Sequence, residues 1–263
     1  MPLVFAGIAP HSPILLDSIG KEKTQDVDIT KKALEQLEKK LYVSNPDILL
    51  IISDHNKLYD KAHTVLSNNK FHSSLEKFGD LQTQQDWLGY PPFASQIAVC
   101  FRKEGIPIQI SSKPELSYGS TIPLLFLTNH KKNIPIIPFG PAELDSKELF
   151  NTGSLIKELL EEENLRVAVI VAGNGAHTLS EGSPAGFHAD GEIFDQAIIN
   201  NLETKNSIGI LNIDNATSTN AKQSILHPLS FLLGILKNVQ YTFETLSYEH
   251  PFGVGYLVGN FKL

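Results

Sequence analysis

The sequence holds a single cysteine, Cys100, among its 263 residues. One thiol excludes an intrachain disulfide and any metal site built from several thiolates. Clustered positive charge is also missing. The formal net charge is −7, and lysines gather only in short pairs such as Lys39-Lys40 and Lys131-Lys132, so no nucleic-acid partner held through its phosphates is expected. No apolar run approaches the roughly 18 residues a membrane helix requires, and no basic segment opens the chain. The expectation is a soluble, cytoplasmic protein without membrane contacts. Internal repeats and low-complexity linkers are absent as well, so residues 1–263 read as one domain.

A hydrophobic fraction of 41% beside 19% charged residues is enough for a sizeable core. Three runs are nearly continuous in apolar residues: MPLVFAGI at the start, Ile48 to Ser53, and Val167 to Ala172. Such runs suit strands of a parallel sheet buried on both faces. Between the first two, residues 24–40 carry Ile29, Ala33, Leu34 and Leu37 at helical spacing, with Leu41 just beyond, which completes a βαβ unit. Further helices are expected at Phe93–Glu104, closed by Gly105, and at 121–130, 146–163, 190–202 and 221–236, the last interrupted at His227-Pro228. Strands are expected at 106–110, near an edge because of Pro107, and at 134–139. The tail alternates over 241–249 and returns over 254–261 as an antiparallel pair. The fold class is therefore α/β: a single domain with a central, mostly parallel sheet flanked by helices and C-terminal antiparallel strands. Residues 57–92 show no clean period and read as a long surface excursion of the kind used for lids and binding loops.

Each strong strand runs into a histidine: His11, His55 and His177. Pro10 and Pro13 restrict the backbone around the first. Open parallel sheets bind ligands beyond the carboxyl ends of their strands, so these three residues can meet in space. Of the other six histidines, His63, His72, His130, His227 and His250 read as solvated or capping side chains. His188 is set apart because it shares a Gly/Pro-rich loop with His177. Glu249 ends a strand beside a Gly-rich turn and is the carboxylate placed to reach the same crevice. Glu244, five residues earlier, would face the other way by strand alternation. Two imidazoles and one carboxylate that leave positions open suit Fe(II) binding both substrate and O2, and zinc tolerates the same set. A third histidine off the metal could work as acid and base. Gly173 and Gly175 would let the backbone pass close to a bound ligand.

Four segments, FAGIAPHSPILL, PDILLIISDHN, GNGAHTLSEGSPAGFHADGEIFD and SYEHPFGVGYL, follow one another across nearly the whole chain. Together they resemble the class III extradiol ring-cleavage dioxygenases, in the catalytic B-subunit branch related to the protocatechuate 4,5-dioxygenase beta chain. The resemblance implies a non-haem Fe(II) held by His11, His55 and Glu249, with His177 as acid and base. It implies a small aromatic substrate, catechol- or aminophenol-like, and O2 as the partners; a homo-oligomer is compatible with it. The chain departs from the pattern twice. Ser117-Tyr118-Gly119 stands where the family has Asp-His-Gly, so Tyr118 takes the place of a pocket histidine; its phenol can donate a hydrogen bond but cannot act as a cation. Asp54 stands where proline is common and could orient His55 or cap a turn. Rival readings are a non-catalytic relative of the Memo type, which carries a pocket cysteine, and a zinc hydrolase on the same ligands. Cys100, within IAVCF, reads as a small buried hydrophobe.

Overall fold

The computed structural model of the chain describes residues 2–162 and 164–263. Met1 and Glu163, expected at the ends of a strand and a helix, lie outside the described residues. In chain order the first half contains β1 (Leu3–Ala9), α1 (Asp17–Gly20), α2 (Asp28–Ser44), β2 (Ile48–Ile52), β3 (His63–Leu66), β4 (Lys70–His72), β5 (Asp86–Leu88) and α3 (Pro91–Lys103). Next come β6 (Ile108–Ser111), α4 (Tyr118–Leu127), β7 (Ile136–Gly140), α5 (Ser146–Glu162) and β8 (Val167–Ala172). The last part holds α6 (Asp190–Glu203), α7 (Ser207–Leu211), α8 (Asn215–Ala221), α9 (Leu226–Ile235), β9 (Thr242–Glu249) and β10 (Tyr256–Lys262).

Eight strands form one sheet in the order β6-β3-β7-β2-β8-β1-β10-β9. The four central strands β7, β2, β8 and β1 run parallel. Both sides of the centre are antiparallel: β3 against β7, and β10 against β1. The chain is thus an α/β protein with a mostly parallel centre and a C-terminal antiparallel pair. The apolar runs become central strands because helices cover both faces. Along β2, Ile48, Leu50 and Ile52 belong to one core with Phe93, Leu149 and Leu229, while Leu49 and Ile51 belong to a second with Leu34, Leu37 and Ile122. No helix among the described residues is long and apolar enough to cross a membrane.

The structure departs from several of these expectations. The stretch 57–92 is not wholly a surface excursion, because it contributes β3 to the main sheet between β6 and β7. It also forms the hairpin of β4 and β5, whose Phe71 and Trp87 are buried. His63 is not solvated: it sits in β3 with no exposed surface. His227-Pro228 does not interrupt a helix but opens α9, where proline in the first turn forgoes no helical hydrogen bond.

The expected alternation of Glu244 and Glu249 also fails. Val258 pairs with Ser247 and Gly259 with Thr245, so Leu246 is an extra residue in β9, a β-bulge. One inserted residue reverses the faces on one side of it, and both carboxylates turn toward α2. Glu244 pairs with Lys40 at 3.2 Å, and Glu249 bonds Thr30 at 2.7 Å and 2.5 Å.

Candidate active site

Strand β8 lies between β2 and β1, so the carboxyl ends of three neighbouring strands deliver three histidines to one edge. His11 follows β1 after Pro10, His55 lies in a single 3-10 turn (Asp54–Asn56) after β2, and His177 follows β8 after Gly173 and Gly175. All three line one cavity of about 460 Å3 with Tyr118, from the first turn of α4. Pro13, Ile14, Phe252 and Val254 give it apolar wall, while Asn174 and Ser224 add polar groups.

The contacts are close. His11 Nε2 and His55 Nε2 stand 3.2 Å apart, and the Tyr118 hydroxyl lies 2.9 Å from His55 Nε2. Burial holds the His11 ring well below its ordinary pKa, with His55 and His177 adding to the effect and the Ala172 backbone opposing it. Burial lowers His55 as well, against the charge of Asp54 and with that of Lys77. His177 is lowered by burial, opposed by the Lys222 backbone. Burial raises the Tyr118 phenol, which keeps it protonated and able to donate. The site at neutral pH is therefore a set of neutral imidazoles beside a phenol. Lys77 lies 4.7 Å over the Tyr118 ring and is a cation next to the set.

Two asparagines that sequence reasoning did not single out hold this geometry. Asn56, buried beside His55, donates to Ser120 Oγ at 2.8 Å and to the Phe139 carbonyl at 3.2 Å, and accepts from Ser117 Oγ at 2.7 Å. It thereby fixes the His55 turn to the N-terminus of α4, where Tyr118 begins. Asn174 Oδ1 accepts from the His11 amide at 3.1 Å, joining the first strand end to the loop of His177. Gly119 permits the approach of α4, since a Cβ there would lie 2.7 Å from His55 Cβ and Cδ2. The only signals for these residues were position: an asparagine next to each strand-end histidine or glycine, and serines 117 and 120 at capping distance.

Glu249 is placed differently. Strand β9 runs in the same direction as β1, so its end reaches the same edge, two strands away. Its carboxylate accepts from Thr30 N at 2.7 Å and Thr30 Oγ1 at 2.5 Å, in the first turn of α2. Tyr256, the cross-strand neighbour of Glu249, occupies the cavity wall and lies 3.2 Å from Ser12 Oγ. The structure therefore brings His11, His55, His177 and Tyr118 together and does not bring Glu249 to them. Among the described residues no three His, Cys, Asp or Glu side chains converge as a metal-binding set. Asp54 Oδ2 lies 3.6 Å from His227 Nδ1, and Asp54 acts on His55 through its charge. His188 is exposed and accepts from the Asp190 amide at 3.2 Å. Cys100 lies on α3, away from the cavity.

Residues 6–259 match the family described as the catalytic LigB subunit of aromatic ring-opening dioxygenase. The chain belongs to this family. Protein CA_C1420 of Clostridium acetobutylicum is similar at 27% identity over 258 residues, covering 95% of this chain and 55% of that protein. The chain thus spans about half the length of that relative. An uncharacterized protein of Escherichia coli K12, JW3007, shares the fold with a TM-score of 0.69 at 15% identity, over 98% of this chain and 99% of its own.

Proposed function

We propose that this chain is a non-haem Fe(II)-dependent extradiol dioxygenase that opens a catechol- or aminophenol-like ring with O2. The observation that carries the reading is the convergence of His11, His55, His177 and Tyr118 on one cavity, in a chain of the ring-opening dioxygenase family. The histidine pair suits a divalent metal. Two ring nitrogens bound to one ion at about 2.1 Å, at an angle of about 90–110°, stand about 3.0–3.4 Å apart. The Nε2 atoms of His11 and His55 are 3.2 Å apart, and burial favours the neutral rings that ligate. Both Thr30 bonds end on Glu249 Oε1, so Glu249 would complete the set through Oε2 or by giving up that hold. Bound Fe(II) would supply a Lewis acid for the diol and electrons for O2.

The chain's own groups would do the rest. His177, neutral by burial, accepts the proton of a substrate hydroxyl and can return it later. Tyr118 stays protonated, and with His55 Nε2 given to the metal its hydroxyl, 2.9 Å away, would donate to the substrate or O2 instead. Pro13, Ile14, Phe252 and Val254 pack against the ring and keep water from it.

Anaerobic loading with Fe(II), followed by a panel of catechols and aminophenols, tests the reading. O2 uptake with a yellow ring-fission product is expected, while stoichiometric iron without uptake on any ring removes it. His177→Phe should keep its iron and lose turnover by roughly a hundredfold or more. The hold of Thr30 on Glu249 favours one second reading, a non-catalytic metal-binding relative, and that protein would bind metal and leave every ring intact. Metal analysis of the purified chain separates iron from zinc, which would sit on the same nitrogens.

A further inference from the structure

We infer that Asp195 is a positioning residue, whose buried carboxylate fastens the segment carrying His177 to the strand end carrying Glu249. Asp195 lies on α6 and is 3% exposed. Its Oδ1 accepts from the Ala176 amide at 2.8 Å, and its Oδ2 accepts from the Tyr248 hydroxyl at 2.7 Å. Ala176 directly precedes His177, and Tyr248 directly precedes Glu249. One side chain therefore grips the residue next to each of two site candidates that lie far apart in sequence.

The surroundings are built for the carboxylate. Both oxygens face neutral donors, and Ile198, Ile225 and Leu257 stand around them. A carboxylate placed so is costly relative to an apolar side chain unless its hydrogen bonds are made. Burial pushes its pKa up to about 6, which leaves it mostly ionised at neutral pH. Glycine stands at both nearest backbone positions, and a Cβ at Gly175 or Gly255 would run into the carboxylate. Backbone bonds tie the His177 segment to the residue before β10 as well, Gly175 N to the Gly255 carbonyl and Gly255 N to the Ala176 carbonyl, each at 2.8 Å. The chain omits two side chains to admit one acid, and that acid touches both segments.

The importance of this fastening for chemistry rests on the reading that His177 works in the cavity, so the test has an arm independent of turnover. Asp195→Asn keeps an oxygen for the Ala176 amide and can give its own amide to the Tyr248 oxygen. Asp195→Ala gives up both bonds. In the full chain without added metal, amide exchange across 173–177 and 246–249 should speed up together by about tenfold or more in Asp195→Ala, the value of one lost hydrogen bond. Asp195→Asn should stay within about threefold of wild type, well short of one lost bond.

Where the wild type opens a ring, Asp195→Ala should lower kcat with KM little changed, and Asp195→Asn should restore it. Wild-type exchange in either segment of Asp195→Ala overturns the inference, as does Asp195→Asn exchanging as fast as Asp195→Ala. Should Asp195→Ala fail to fold, Tyr248→Phe decides: it should loosen both segments, and unchanged exchange over 173–177 overturns the fastening. A wild type inert toward every ring, with the expected exchange pattern, removes the dioxygenase reading and leaves the fastening standing.

Discussion

His63 stands in β3 with Nδ1 accepting from the Ala142 amide at 3.1 Å and Nε2 without a hydrogen-bond partner among the described residues. Burial lowers its pKa to about 4, against about 6.5 unfolded. The unfolded chain therefore takes up this proton first as pH falls, and the stability His63 contributes as a neutral ring is present above pH 6.5 and lost progressively toward pH 4. Between pH 7 and pH 5 that loss is about 2 kcal/mol. Urea unfolding at both pH values should show wild type losing about that much more than His63→Gln. At this scale the sequence revealed residues by what preceded them. His11, His55 and His177 stood out because an apolar strand ends just before each. Asn56 and Asn174 did not, because a buried amide is recognised only by the partners it finds in the folded chain.

The elements were legible where burial on both faces writes a continuous apolar run, as in β2 and β8. They were not where a strand interior uses polar atoms. His63 and Thr64 made β3 look like loop, although both are fully buried in the sheet. The bulge at Leu246 was equally hidden, since alternation read from sequence assumes an unbroken register, and it turned Glu249 toward α2. Replacing Thr30 by valine removes one of two donors to Glu249 and should cost about 1 kcal/mol of stability without metal. If Glu249 completes a ligand set, the same variant should bind Fe(II) more tightly, as read by anaerobic titration. Helix α4 offers a second test. Gly119→Ala places a methyl group against Ser53 Oγ and His55, so α4 must shift. A loss of about 1–3 kcal/mol, the usual range for overpacking, should come with a changed His55 ring environment in NMR spectra.

For the whole molecule, the sole tryptophan reports on the stretch that sequence reading took for a lid. Trp87 is buried and its Nε1 donates to Thr128 Oγ1 at 3.1 Å, on the core side of the hairpin. Tryptophan fluorescence and far-UV circular dichroism should therefore give one coincident unfolding transition; a fluorescence change that comes first would show 57–92 to be loosely held. The strand order β2-β8-β1 has a last consequence, in time. On the ribosome β1 and β2 are made before the strand that belongs between them, which emerges more than about a hundred residues after β2. Throughout that interval the nascent chain exposes two apolar strand edges with no native neighbour, each able to pair with the other or with another chain. Yield from the cell should accordingly depend on how long those edges wait, and on which chaperone covers them meanwhile.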